Sequence, residues 1–401
     1  MKKKISVIGL GYIGLPTAAL LSQNKSFIVH GSDISRSRLD QLKQLKSSLF
    51  EKNLNTLINE CISKKRLILE RKITKSDFFI ICVPTPFYLK NKKNKADLSS
   101  VNNAVSNILK VLKKGNTIIL ESTVPVGTSK KIYEKILKYG FKKNDINFAY
   151  CPERVLPGNI LNELINNDRV VGGINDKSKF LVSNFYKKFV KSNVYACDAA
   201  TAEMSKLAEN SYRDVNLAFA NELSIICDSQ KISASELIML ANKHPRVNIL
   251  KPGCGVGGHC IPVDPYFLIE KNPKISNLIS VSRKVNNSKT KWVEKKIIHY
   301  IKDFELKNHK TPIIAYLGLG YKANSGDLRE SPALKIAKKL NNKYKVLFVD
   351  PYVEHIKKFK FVDLDYALKK AKIFFILVNH NHFKKKFYLN ALIEKNAINF
   401  D

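Results

Sequence analysis

The sequence predicts an α/β protein in three parts. A strand, a glycine turn and a helix follow one another over residues 5–21, and the same succession begins again at residue 313. Between them, from Thr201, the strands stop and one long helix takes over. Alternation of strand and helix at both ends implies two parallel sheets, and the helical stretch implies a separate middle part. The divisions fall at 1–195, 196–300 and 301–401, and 401 residues suffice for each part to bury a core.

Ile5-Ser-Val-Ile8 reads as a buried strand. Gly9-Leu-Gly11-Tyr12-Ile13-Gly14 leads from it into a helix through Ala18, Ala19 and Leu21. Glycine at these three places permits a tight turn, close approach of backbone to a pyrophosphate, and helix–strand packing, with phosphate at the helix N-terminus. A second strand, Phe27-Ile-Val-His-Gly-Ser, ends at Asp33, nineteen residues past Gly14. An acid there hydrogen-bonds both ribose hydroxyls and repels a 2′-phosphate, so NAD is expected rather than NADP. The first part therefore reads as a Rossmann dinucleotide-binding domain. The opening Met1-Lys-Lys-Lys-Ile-Ser-Val-Ile-Gly has the basic head and apolar body of a secretory signal. The glycines explain it better, and the chain is expected to begin as mature protein.

Another buried strand is expected over 77–83, stopped by Pro84-Thr85-Pro86, where prolines suit a loop lining the cofactor crevice. Residues 90–95 read as a charged, mobile loop. A helix over 99–113 leads through Gly115 to a strand over 117–120 and then to Glu121-Ser-Thr123-Val-Pro-Val-Gly127. Tyr150-Cys-Pro-Glu153-Arg154-Val155-Leu-Pro-Gly158 follows a further strand, with Glu153 where that strand ends. The plain alternative for Glu153 is a loop carboxylate paired with Arg154.

The long helix runs from Thr201 to about Asp228; its roughly 27 residues span about 40 Å. Lys206, Asn210, Arg213 and Asp214 share one face. Such a stripe is ordinarily solvated, but Leu217, Phe219, Ala220 and Leu223 make the rest too apolar for exposure. His244-Pro-Arg246-Val-Asn248 ends the next short helix and leads into Lys251-Pro-Gly-Cys-Gly255-Val-Gly257-Gly-His-Cys260-Ile-Pro-Val-Asp264-Pro. Four glycines in six residues let backbone N–H groups approach a ligand. A thiol at the end of that loop, with Asp264 four residues on, has the ingredients of an activated nucleophile. The alternative is a turn followed by a core cysteine. A zinc site from Cys254, His259 and Cys260 lacks a suitably spaced fourth ligand, so no metal is expected.

A charged, turn-like connection is expected over 302–311. The last part then opens with a strand over 313–317 and Gly318-Leu-Gly320-Tyr321-Lys322-Ala, followed by strands at 346–349 and 373–378. This second glycine turn has the spacing of a nucleotide fingerprint, yet Lys322 and Arg329 beside it suit a phosphate-bearing substrate.

The formal charge of +35 raises the question of nucleic acid. Only ten of the 69 basic residues are arginine, the lysines are scattered, and no aromatic-interleaved stripe accompanies them. The excess reads as compositional, and no nucleic-acid partner is expected. Seven cysteines without paired spacing argue for reduced thiols in the cytoplasm. The longest apolar runs are strand length, too short to cross a membrane.

Assembled, these residues resemble the nucleotide-sugar 6-dehydrogenases of the UDP-glucose/UDP-mannose dehydrogenase family. The resemblance covers essentially the whole chain and rests on motifs at 9–14, 121–127, 151–158, 206–210, 253–265 and 327–332. The wording at 151–158, Ser-Tyr-Arg-Asp-Val-Asn from 211 and His-Pro-Arg-Val-Asn-Ile from 244 is most similar to the UDP-N-acetyl-D-mannosamine dehydrogenase branch. That branch makes the corresponding uronate for bacterial surface polysaccharides.

The resemblance implies oxidation of a C6 alcohol to a carboxylate with two NAD in one site, through a thiohemiacetal and thioester on Cys260. It implies Lys206 as proton carrier or oxyanion partner, Asn210 as oxyanion donor, and Glu153, Thr123 and Asp264 in ordering water or moving protons. Gly9, Gly11, Tyr12, Ile13, Gly14, Asp33, Thr85 and Thr123 would contact NAD. Arg154, Val155, Lys206, Asn210, Arg213, His244, Arg246, Gly255, Gly257, Tyr321, Lys322 and Arg329 would hold the UDP-sugar. The third part is then a Rossmann-like UDP-sugar-binding domain, and the middle part a dimerisation region. The minimum assembly implied is a homodimer. Two departures stand out. Residues 46–54 lack the family's glycine and proline, which touches a peripheral loop. The sequence ends at Asp401, short of a basic residue found in relatives, which implies altered cofactor affinity. Alternatives are a UDP-N-acetylglucosamine or UDP-glucose 6-dehydrogenase, or an NAD-binding sensor without catalysis.

Overall fold

The computed structural model describes residues 2–46, 52–90, 93–155, 158–353 and 355–401. The departure noted at 46–54 lies largely outside them. Within the described residues the chain forms two compact units, Met1–Ala208 and Glu209–Asp401.

The strands, in chain order, are β1 (Lys3–Ile8), β2 (Phe27–Ser32), β3 (Leu67–Glu70), β4 (Phe78–Ile81), β5 (Phe87–Lys90), β6 (Lys93–Ala96), β7 (Thr117–Leu120), β8 (Asn147–Tyr150), β9 (Arg169–Gly173) and β10 (Val194–Asp198). In the second unit come β11 (Ile314–Leu317), β12 (Val346–Val349), β13 (Ile373–Ile376) and β14 (Ile398–Asn399). The first unit holds an eight-stranded sheet in the order β10-β9-β8-β7-β4-β1-β2-β3, parallel except where β9 meets β8. The second holds a parallel sheet in the order β12-β11-β13-β14. In both, the strand order reverses beside the first strand, between β1 and β4 and between β11 and β13. That is where ligand crevices form in sheets of this kind.

The strands β4, β7, β11, β12 and β13 are largely apolar because they are buried on both faces. Ile80 and Ile119 point into one core of the first unit, while Phe79, Ile81, Ile118 and Leu120 point into the other. Likewise Ile314 and Tyr316 face one core of the second unit, and Ala315 and Leu317 face its opposite. Truncating any of the buried isoleucines to alanine removes about 2–5 kcal/mol.

Three expectations are corrected. Of the charged stretch at 90–95, residues 91 and 92 lie outside the described residues and the rest is strand: β5 and β6 pair antiparallel, with Phe87 opposite Ala96, because Phe and Tyr favour an extended backbone. The helix expected over 99–113 stops at Leu109. There Asn116 accepts from the Lys113 N–H and Gly115 adopts φ +86°, which turns the chain towards β7. The connection expected over 302–311 is mostly helix. Asn277–Asn308 is continuous, buries Val293, Ile297 and Ile301 at four-residue spacing, and carries an Asp303–Lys307 pair in its last turns. It ends at His309 in the left-handed region. The other long helix spans Ala199–Gln230, and Asp198 starts it by accepting from the N–H and hydroxyl of Thr201.

Candidate active site

In the first unit, the turn after β1 requires glycine at two of its three places. A Cβ on Gly9 would lie 2.8 Å from the Cys82 carbonyl oxygen, and one on Gly14 only 1.9 Å from the Gly9 oxygen. Gly11 has open space in front of it, as a pyrophosphate needs. The helix Gly14–Ser22 starts directly behind, and Tyr12 and Ile13 sit half-buried at its mouth. Asp33 accepts from the Leu10 N–H (2.9 Å) and the Ser35 N–H (2.8 Å), which fixes the acid at the end of β2. Turn, helix terminus and acid together fit NAD. Thr85 and Thr123 lie half-buried beyond the ends of β4 and β7, where that crevice opens. Arg38, which carried no sequence motif, donates to the Leu10 carbonyl beside Asp33.

The end of β8 brings Glu153 and Lys206 together. The Lys206 ammonium is buried and donates to the Glu153 carbonyl, while the Glu153 carboxylate accepts from the Val155 N–H. Burial pushes the Glu153 carboxyl above its ordinary range, and the Lys206 charge pulls part of the way back. Arg154 donates to the Asp168 carbonyl. Residues 156 and 157 of this motif lie outside the described residues.

A polar cluster behind this corner was not legible as a site. Glu121 is buried and accepts from Tyr186 (2.5 Å) and from Cys82 (3.2 Å). Burial pushes the Tyr186 and Cys82 protons on more tightly, and drives Cys151 up to about 12. Glu203, also buried, accepts from the Gly127 and Ser129 N–H groups and so closes the start of the Thr128–Lys138 helix. Glu121 stood in a motif, but Tyr186 is 65 residues away and nothing local pointed to it.

In the second unit the cysteine loop is tightly packed. Cys254 is a core residue donating to the Leu377 carbonyl, whereas the Cys260 thiol is exposed. Gly255 at φ +132° has no room for a Cβ against Thr290, and Gly257 has none against Tyr321 and Pro332. The Gly258 N–H donates to the Arg329 carbonyl, so the loop lies along residues 321–332. Past the thiol, Asp264 opens a short helix, its N–H bonded to the Cys260 carbonyl and its buried carboxylate accepting from Asn210 (2.5 Å).

Tyr321 is half-buried beside this loop, and burial together with Asp327 pushes its hydroxyl up to about 12. Arg329 is forked onto Asp327. Lys322 is half-buried and Arg213 exposed at the edge of the buried face that Asn210 and Asp214 share. His244 and Arg246 sit exposed on the turn after the Ala234–Ala241 helix, and among the described residues neither hydrogen-bonds the cysteine loop. Among the described residues no cluster of His, Cys, Asp or Glu could hold a metal ion, and no helix is long and apolar enough to cross a membrane.

A nucleotide turn with its acid, and a second parallel sheet beside a cysteine loop, define an NAD-dependent oxidoreductase. Comparison with known proteins narrows the class. The NAD-binding, central and UDP-binding domains of the UDP-glucose/GDP-mannose dehydrogenase family match residues 3–190, 200–288 and 315–401 respectively. A UDP-N-acetyl-D-mannosamine dehydrogenase of Methanocaldococcus jannaschii is 46% identical over 95% of this chain and 87% of its own. An NDP-N-acetyl-D-galactosaminuronic acid dehydrogenase of Ralstonia nicotianae is 41% identical over 96% and 92%. The solved UDP-D-ManNAc dehydrogenase of Pyrococcus horikoshii superposes with a TM-score of 0.88 at 35% identity, covering 97% of this chain and 92% of that one. The chain belongs to the UDP-glucose/GDP-mannose dehydrogenase family, and it is an NAD-dependent UDP-sugar dehydrogenase.

Proposed function

We propose that this protein oxidises UDP-N-acetyl-D-mannosamine at C6 to UDP-N-acetyl-D-mannosaminuronate. The observation that carries the mechanism is the cysteine loop, an exposed thiol held just ahead of the buried Asp264–Asn210 pair. Bound NAD supplies the hydride acceptor, once for each of two oxidations. In the first, C6 gives up a hydride and its hydroxyl a proton, and Lys206 steadies or carries that proton. Cys260 then adds to the aldehyde carbon. The thiohemiacetal gives up a second hydride, and water splits the resulting thioester, returning the thiol. One alcohol, two NAD⁺ and one water become one carboxylate, two NADH and three protons.

A thiolate suits this role because it traps an aldehyde readily and leaves readily from an acyl group. Asn210 would stabilise the oxyanion, and Thr123, Glu153 and Asp264 would order water or carry protons. Arg154, Val155, Arg213, His244, Arg246, Gly255, Gly257, Tyr321, Lys322 and Arg329 would hold the UDP-sugar, Arg329 sharing its fork between Asp327 and phosphate. The central helical region would serve dimerisation. Tyr212, Phe219 and Ile226 expose 70, 52 and 50% of their surfaces at seven-residue spacing along one helix, a stripe that a second copy would cover. The product would feed surface polysaccharide synthesis from the cytoplasm.

The mannosamine choice follows relatives such as the Methanocaldococcus jannaschii and Pyrococcus horikoshii enzymes; the galactosaminuronic relative favours a second reading within the N-acetylated sugars. Following NADH with purified protein and each UDP-sugar in turn decides between them. Turnover of UDP-N-acetyl-D-mannosamine is expected; turnover of another epimer in its place overturns the assignment. Cys260→Ser is expected to lower steady turnover by several powers of ten while leaving a burst of about one or two NADH per site. Near-normal steady turnover by that variant would remove the covalent step.

A further inference from the structure

Both ends of the cysteine loop are held by one face of the Ala199–Gln230 helix. At its far end Asn210 donates to Asp264. At its near end Asn221, three turns further along, accepts from the Gly253 N–H (3.0 Å). Asn221 is buried, and its amide is not free to turn over. Its Nδ2 donates to Asn286 Oδ1 (2.9 Å), and Asn286 Nδ2 donates in turn to both the carbonyl (2.9 Å) and the carboxylate (2.8 Å) of Asp214. Asp214 is a buried acceptor, paired with the Arg283 guanidinium.

The polarity of the chain is therefore set at one end. Asp214 can only accept, so Asn286 must present its NH₂ there and its oxygen to Asn221. Asn221 must then present its NH₂ to Asn286 and its oxygen to Gly253. A reversed amide at either place would face donor to donor inside a dry interior, where an unmade bond is expensive. Thr290, on the helix that carries Arg283 and Asn286, adds a bond to the Cys254 carbonyl (2.9 Å).

We propose that Asn221, oriented by Asn286 and Asp214, is a positioning residue for the Cys260 nucleophile. It fixes where the loop meets the helix and hence where the thiol stands. The inference rests on the proposed role of Cys260 and predicts a selective defect. Loosening the near end misplaces the thiol, which serves the second oxidation, and leaves the first oxidation in place.

The test is rapid mixing of UDP-N-acetyl-D-mannosamine and NAD⁺ with Asn221→Ala and Asn286→Ala, reading the two NADH phases separately. Cys260 alkylation by iodoacetamide is mapped by peptide mass. Asn221→Ala is expected to slow the second phase by about 10- to 100-fold. The first phase, read at saturating sugar nucleotide, should stay within about threefold, and the alkylation rate should change. Asn286→Ala, which keeps the Gly253 bond but releases the amide, should show the same defect in weaker form. Equal slowing of both phases, or normal second phases in the folded variants, overturns the proposal. In the unmutated protein the Gly253 amide should exchange slowly with deuterium, and fast exchange overturns the clamp without any variant. Cys260→Ser in the same apparatus separates the two ideas. If it turns over steadily, the covalent reading fails; if it stalls while the Asn221 variants run both phases normally, only the positioning role fails.

Discussion

The tetrapeptide Gly-Leu-Gly-Tyr occurs twice, at 9–12 and at 318–321, at the same place in two different sheets. The first glycine N–H bonds the end of the neighbouring strand in both, to Ser32 in one and Val349 in the other. The leucine N–H bonds an aspartate in both, Asp33 at 2.9 Å and Asp350 at 2.7 Å. The same aspartate also takes the N–H two residues on, Ser35 or Tyr352, at 2.8 Å. A Cβ on the first glycine would strike the strand across the crevice, at Cys82 or at Val378.

What surrounds the turns differs. Behind the first, a helix begins at Gly14; behind the second, the chain wanders through residues 321–331 before a helix starts at Pro332. Both aspartates are half-buried, but the Asp350 side chain is covered and has His380 Nε2 at 3.3 Å, whereas Asp33 has no histidine partner among the described residues. His380 Nδ1 accepts from the Asn324 N–H, so the proton sits on Nε2 and points at the acid. The glycine turn and its acid are thus a way of closing a parallel sheet. They become a dinucleotide site only where a helix N-terminus follows at once and no histidine caps the acid. In the second copy the same acid holds down the loop that carries Tyr321, Lys322 and Arg329.

The comparison is broken most readily at the third small residue. Gly14→Ala should remove about 3 kcal/mol or more of stability, because its methyl meets backbone, and NAD binding should fall with it. Ala323→Gly, at the matching place, should cost no more than about 1 kcal/mol. Thermal unfolding and NAD titration of the two variants check the contrast; equal effects would mean that the turns are constrained alike.

The two acids give a smaller and oppositely placed difference. Asp350→Asn leaves a donor facing donors and should lower stability by about 1–3 kcal/mol with the NAD KM unchanged. Asp33→Asn sets an amide donor against the Leu10 or Ser35 N–H in the same way, and should in addition raise the NAD KM about tenfold and relax discrimination against NADP. Steady-state kinetics with both cofactors beside denaturant titrations would show whether the roles are reversed.

The smallest expected effect is one of pH. Burial alone would raise the Asp350 carboxyl, but His380 and the Leu319 and Tyr352 N–H groups outweigh it, so its folded value lies below the ordinary 3.8. A depressed carboxylate stabilises above its unfolded value, and the contribution is lost as pH falls through the folded one. Wild-type stability should therefore fall more steeply than that of Asp350→Asn below about pH 4, as read by acid titration of tryptophan fluorescence.

The parts legible in the sequence are those that repeat a pattern. β7 and β12 were readable to the residue because strands buried on two faces are apolar throughout. The first glycine turn and Asp33 were legible because three glycines and a terminal acid have few other uses at such spacing, whereas the cysteine loop by itself left a plain turn with a core cysteine open. His380, Glu203, Asn221 and Asn286 were not. Each is a single polar residue whose partner lies far along the chain, and a lone asparagine or histidine has no period. The pairing of β5 with β6 and the helical run to Asn308 were missed because charge suggested loops, while extended propensity and the continuous helix that buries Val293, Ile297 and Ile301 decided otherwise.

The helical clamp on the cysteine loop has a consequence for how this gene can vary. Asn210, Asp214 and Asn221 share a face only because they are four and eleven residues apart. Inserting or deleting one residue between 210 and 221 rotates everything beyond it by about 100°. That swings Asn221 out of line with Asn210 and turns the apolar ridge of Phe219 and Ile226 away from that of Tyr212. Among natural relatives and in libraries with random single-codon gains and losses, this segment should keep its length while the turn after Ala241 accepts changes in length. The helix acts as a ruler on which the spacing between marks matters as much as the marks.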